Sequence, residues 1–206
     1  MSASPTPSRG AKRGRRPGAP DTRAAILDSA RELFASGGFA GTSVRAVAAG
    51  AGVDPALVHH YFGSKDDLFV AALELPVDPR VIVAPALAEG PDGAGERMLR
   101  VILGVWDNDE HRLPLLAMAR SILEPSGEQL IGRGFLPVVI EPLGEMLGID
   151  HPDIRMPLFA SQIVGLIMLR YLLEAEPLAS MPVDDVVAAY APTLQRYLTG
   201  DLGFLD

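Results

Sequence analysis

The chain has no cysteine among its 206 residues, which excludes disulfides and thiolate metal sites and fits a reducing compartment. Histidine is scarce too: four are present, none in HxxxH or HExxH spacing. The adjacent pair His59 and His60 would point about 100° apart on a helix, so no metal ion is expected. Long apolar runs are missing as well. The longest uncharged run late in the chain, Met156 to Leu169, is bracketed by Arg155 and Arg170 and falls short of the ~18 residues a membrane span needs. It predicts a helix buried on every side and no membrane association. The N-terminus is basic without an apolar signal core, so a soluble, cytoplasmic protein is expected. No stretch alternates with period two and no internal repeat is found, which leaves an all-α chain.

Catalytic signatures are absent in the same way. There is no Ser-His-Asp order, paired-carboxylate motif or cofactor fingerprint, so neither an enzyme nor a cofactor is expected. The glycine-rich segment at 91–95, ProAspGlyAlaGly, follows no strand and lacks the GxxxxGK[ST] pattern, which excludes a phosphate-binding loop.

What the chain does have is a split in charge. Its net charge is −8, yet residues 1–70 carry nine Lys/Arg against six Asp/Glu, while the remainder carries nine against twenty. The first part is therefore +3 and the rest −11. An acidic protein that meets DNA must do so through its basic part, with the acidic body held away. Residues 1–20, rich in Ser, Pro, Gly and Ala with five Lys/Arg and no acid, predict a disordered basic arm, either a solvated tail or an extra phosphate or minor-groove contact.

The densest information lies between Thr42 and Lys65. Asp21 predicts the cap of a helix over 22–36, stopped by Gly37-Gly38. Thr42 and Ser43 predict caps for the next helix, in which Val44, Val47 and Ala48 form an apolar stripe. Gly50 and Gly52 supply a turn, and Asp54-Pro55 restarts a helix as N-cap and first residue. Gly63 ends it, and Ser64 caps a further helix that stops near Leu75-Pro76. Two short helices across a tight turn make a helix-turn-helix unit, here at about 43–62.

This segment, with the preceding TRAAILDSARELFASGGFAGTS and the following HHYFGSKDDLF, resembles the N-terminal domain of the tetracycline-repressor (TetR) family of bacterial transcription regulators. The resemblance covers about residues 21–75; beyond that it is one of general plan. It implies an N-terminal three-helix DNA-binding domain and, over 76–206, a helical effector-binding and dimerisation domain. It implies DNA contacts at Thr42, Ser43, Arg45, Pro55, Ala56, Leu57, His59, His60, Tyr61 and Lys65, with Val58 and Phe62 in the core. Pro55, Ala56 and Leu57 offer no bidentate donor, so base reading would rest on thymine methyls, Arg45, His59 and DNA shape. The implied function is a dimeric, ligand-responsive repressor on a palindromic operator. The alternative is a ligand-independent DNA-binding dimer.

Further helices are predicted at about 96–106, 112–123, 127–147, 153–175 and 183–199. The last two carry more apolar surface than one small domain covers, which suggests a twofold interface through 153–175 and 183–199. Family plan implies a pocket for a small apolar effector. Trp106, Met118, Phe135, Met146, Phe159, Gln162, Met168 and Tyr171 are candidates to line it, and each is also an ordinary core filler.

Overall fold

A computed structural model describes residues 21–121, 123–124 and 127–204; the basic arm and the Pro125-Ser126 turn signal lie outside them. The all-α expectation holds, since every regular element among the described residues is helical. Helix α1 (Thr22–Gly41) starts where Asp21 accepts a bond from the Arg23 amide and is broken at Gly38, whose backbone turns to φ 66°. Helices α2 (Val44–Gly50) and α3 (Pro55–Phe62) are capped by Ser43 and Asp54, which accept from the Ala46 and Ala56 amides at 3.1 and 2.8 Å. Ser64 caps α4 (Lys65–Ala72) by accepting from the Asp67 amide at 3.0 Å.

Thr42 departs from expectation. It is 4% exposed, and its hydroxyl donates back to Leu33 O and Gly38 O at 2.9 and 2.8 Å. It therefore ties off carbonyls around the Gly38 break instead of capping α2, because a hydroxyl serves whichever helix end leaves orphan groups nearest.

Helix α5 (Pro79–Ala88) forms in the Pro/Gly-interrupted stretch after Pro76, whose sequence predicts no helix. Its start repeats the signal of α3: Asp78 accepts from the Arg80 amide at 2.9 Å and Pro79 occupies the first turn. There follow α6 (Ala94–Trp106), α7 (Asp109–Ser121) and α8. Helix α8 is wound as a π-helix over Glu128–Ile140 and continues as ordinary α-helix over Glu141–Leu147. Pro137 lies inside the wide-wound part and has no amide to donate, which weakens ordinary α-winding there. Helix α9 spans Pro152–Leu172, with its last turn, Met168–Leu172, also π-wound, and α10 spans Val183–Thr199.

The side chains pack into two main cores. The first joins Ile26, Ala30 and Phe34 of α1 to Val47, Val58, Leu68 and Phe69 from α2–α4. It is completed by Val138 and Val139 of α8, about seventy residues on in sequence. The second joins α5, α6, the end of α8, α9 and α10 around Leu99, Leu103, Met156, Phe159, Leu194 and Leu198. Helices α6 and α10 meet closely at Gly95, where a Cβ would lie 2.7 Å from the Gln195 amide nitrogen.

By length and composition α9 could cross a membrane, but Met156, Phe159, Ala160, Ile163 and Leu166 are built into the core. The expectation that it is buried on every side fails at its end, where Leu169 is 43% exposed; Leu173, just beyond the helix, is 63% exposed. Among the described residues these two side chains stand open at and just beyond the end of α9.

Candidate DNA interface and effector cavity

Helix α3 divides cleanly into an inner and an outer face. Val58 and Phe62, four residues apart, are buried, while Ala56, Leu57, His59, His60 and Tyr61 are exposed and Pro55 is half-buried. His59 Nδ1 lies 3.0 Å from Gly63 O, so one ring nitrogen is held at the helix end and the other is left outward. The His60 and Tyr61 rings meet edge to face at 5.4 Å. Ser43 and Arg45 are exposed on α2. Lys65 Nζ stands 4.2 Å over the Phe39 ring, which steadies the chain and leaves the ammonium able to donate outward. Thr42 is the correction: buried and already donating to two carbonyls, its hydroxyl is not placed to meet phosphate. Arg23, passed over in the sequence, is exposed beside α3 with its guanidinium 5.2 Å over the Phe62 ring. The two residues are 39 apart in sequence, so their proximity leaves no local signal.

A clasp fixes the step from α4 to α5. Arg80 pairs with Asp67 at 2.9 Å and Asp78 at 2.8 Å. The Ser64 hydroxyl, then Arg80, holds the Asp67 carboxyl below its ordinary range, and Arg80 does the same for Asp78. Carboxylates with depressed folded-state values stabilise the fold above their unfolded value, and that support is lost as pH falls through the folded value. A melting-temperature series from about pH 6 to pH 3 should therefore fall less steeply in Arg80→Met than in the parent chain. Parallel curves would show that the clasp contributes nothing.

Behind α5–α9 lies a cavity of about 150 Å³. Every residue lining it is aliphatic, Met, Pro, Phe or Trp. Of the candidate pocket residues, Trp106, Met118, Phe135, Phe159 and Met168 stand in the wall. Met146, Gln162 and Tyr171 do not. Met146 is 59% exposed, on the outward side of the α-wound end of α8. Tyr171 instead stacks on Trp106 at 5.1 Å and donates its hydroxyl to Asp107 at 2.8 Å. Burial, with Asp107 adding to it, pushes the phenol well above its usual value. Tyr171 lines a separate polar recess with Asp107, Asp109, Arg112, Arg170 and Glu174. Among the described residues, no group of three or more His, Asp or Glu side chains is placed to hold a metal ion.

Both halves of the chain match family models. Residues 26–72 match the model described as bacterial regulatory proteins, tetR family, and residues 92–198 match the tetracyclin repressor-like C-terminal domain. The chain belongs to the TetR family. Among relatives, the HTH-type transcriptional regulator BetI of Rhizobium meliloti is 41% identical over 54 residues, 26% of this chain and 27% of that protein. The HTH-type transcriptional repressor Rv3405c of Mycobacterium tuberculosis is 46% identical over 57 residues, 28% of this chain and 30% of that protein. The chain thus matches under a third of the length of these curated relatives. The crystal structure of a TetR-family regulator from Streptomyces coelicolor is 40% identical, covering 90% of this chain and 98% of that one, with a TM-score of 0.49.

Proposed function

We propose that this chain is a cytoplasmic transcription regulator, a repressor that binds a palindromic operator as a homodimer and responds to a small apolar molecule. The observation that carries the DNA-binding reading is the outer face of α3, with Ala56, Leu57, His60 and Tyr61 exposed on a capped helix and Lys65 just beyond it. Such a second helix lies in the major groove, and twofold symmetry sets half-sites about one turn, ~34 Å, or a multiple apart. Lys65, Arg45 and Ser43 hold phosphate, which positions the unit. Leu57 and Ala56 meet thymine methyls, which together with DNA shape supply sequence preference.

The open end of α9 at Leu169, with Leu173 just beyond it, supports dimerisation through α9 and α10, since pairing two such flanks removes them from water. The wholly apolar cavity supports an effector poor in hydrogen-bonding groups, because a polar group enclosed there without a partner costs about 1–3 kcal/mol. Effector binding acts on DNA only through its different affinity for the DNA-competent and released arrangements.

The test is a footprint on the DNA flanking the gene, followed by titration of the protected fragment. The double variant His60→Ala, Lys65→Ala is expected to bind it at least ~10-fold more weakly at physiological salt, with the salt slope reduced by about 1. Unchanged affinity would remove α3 and Lys65 from the interface.

A further inference from the structure

The cavity and the DNA-reading bundle share a wall, and that wall is the π-wound part of α8. Phe135 lines the cavity and also packs against the core formed by α1–α4. One residue earlier, Gly134 lies against the Phe69 ring so closely that a Cβ there would overlap Phe69 Cζ and sit 2.7 Å from Cε2. Phe69 meets the Phe34 and Phe39 rings edge to face at 5.1 and 5.5 Å, and Phe39 carries Lys65 Nζ at 4.2 Å. An unbroken row of contacts therefore runs from the cavity to the lysine that opens α4. The segment at its centre is π-wound over Glu128–Ile140 and continues as ordinary α-helix from Glu141. Closing one π-turn into an α-turn takes up about one residue of backbone and turns the faces beyond it by up to ~100°.

We propose that α8 is the two-state element that carries the state of the cavity to the DNA-reading helices, with Phe135 and Gly134 as its positioning residues. An occupant displaces Phe135 from the cavity wall. The accompanying shift at Gly134 changes the support under Phe69, and α1 and α4 move with Lys65. This rests on the cavity being the effector site. It adds which residues convert occupancy into a change at the DNA, and both windings must be biased by both sites for the coupling to exist.

The full-length protein tests this with toluene as probe, since a cavity of about 150 Å³ accepts a single benzene-sized ring. Trp106 is the one tryptophan of the chain and lines the cavity, so its emission reports occupancy directly. Operator affinity is read by anisotropy on the footprinted fragment. In the parent chain toluene is expected to change Trp106 emission and weaken operator binding by about 10-fold. Phe135→Leu should keep the emission change while the operator shift shrinks several-fold. A residue with a merely structural role would not separate the two readouts. Gly134→Ala should weaken operator binding with no toluene present, and Phe69→Leu in the same chain should restore part of the loss by removing the overlap.

The proposal is overturned if Gly134→Ala binds the operator like the parent, if its defect is not relieved by Phe69→Leu, or if Phe135→Leu retains the full shift. If toluene leaves Trp106 emission unchanged, it is the effector-site reading that fails. The Gly134 variants use no ligand and still decide the α8 contact.

Discussion

Replacing Phe69 by alanine is expected to lower the stability of the chain by about 3–5 kcal/mol, the usual cost of truncating a buried aromatic to Ala. Phe69 is 1% exposed, and it holds together parts of the chain that are distant in sequence. Its ring touches Phe34 and Phe39 edge to face, arrangements worth about 0.5–1.5 kcal/mol each beyond simple burial. Its far edge rests on Gly134 of α8, where there is no side chain to relax into the space left behind. The loss should therefore fall at the high end of that range, and Phe69→Leu should cost much less. Equilibrium unfolding in urea with intact m-values measures both, and a loss for Phe69→Ala below ~1 kcal/mol would show that the site refills.

Arg155→Ala is expected to cost about 2–4 kcal/mol, for a different reason. Arg155 is a charged side chain only 5% exposed. Its guanidinium donates to Tyr197 O and Gly200 O at 3.1 and 2.9 Å, tying off carbonyls at the end of α10, where a helix leaves such groups without partners. Asp150 lies 2.8 Å from its Nε and accepts from its Nη2 at 3.3 Å, which balances the charge. Asp150 is itself 63% exposed, so the cost of the variant comes mainly from the orphaned carbonyls and the lost packing of the long stem, not from a stranded anion. Arg155→Met should recover the packing share alone. Asp150→Asn should cost well under either, and a larger loss there would assign the stabilisation to the ion pair.

Local signals in the sequence are clearest where a single residue both starts and satisfies a helix. Asp21, Ser43, Asp54 and Ser64 each accept the bond their position predicts. Thr42 misled because two hydroxyls stand side by side between two helix ends, and only the three-dimensional break at Gly38 decides which end each serves. Helix α5 was hidden because prolines at 76, 79 and 85 read as punctuation, although Asp78-Pro79 carried the same start signal as Asp54-Pro55. Other features left no local trace. Arg155 finds its carbonyl partners 42 and 45 residues away, and nothing in sequence marks that distance. Gly134 reads as a weak point in a helix, whereas its lack of a side chain is what admits Phe69. Apolar residues at helical spacing look alike whether they fill a core or wall a cavity, so Phe159 and Met146 were indistinguishable until the backbone placed one inside and the other on the surface.

The seating of Val138 and Val139 in the first core bears on how this protein can be recombined. In a family whose N-terminal and C-terminal halves are described by separate models, grafting the first 75 residues onto another body invites itself as a way to redirect an operator. Here such a graft would leave the Phe34–Phe69 cluster facing a foreign helix or water. A working chimera has to take its donor sequence in two pieces, the N-terminal segment and the stretch from about 128 to 140, joined through a host body. The N-terminal bundle is therefore portable in this chain only together with the helix that completes its core.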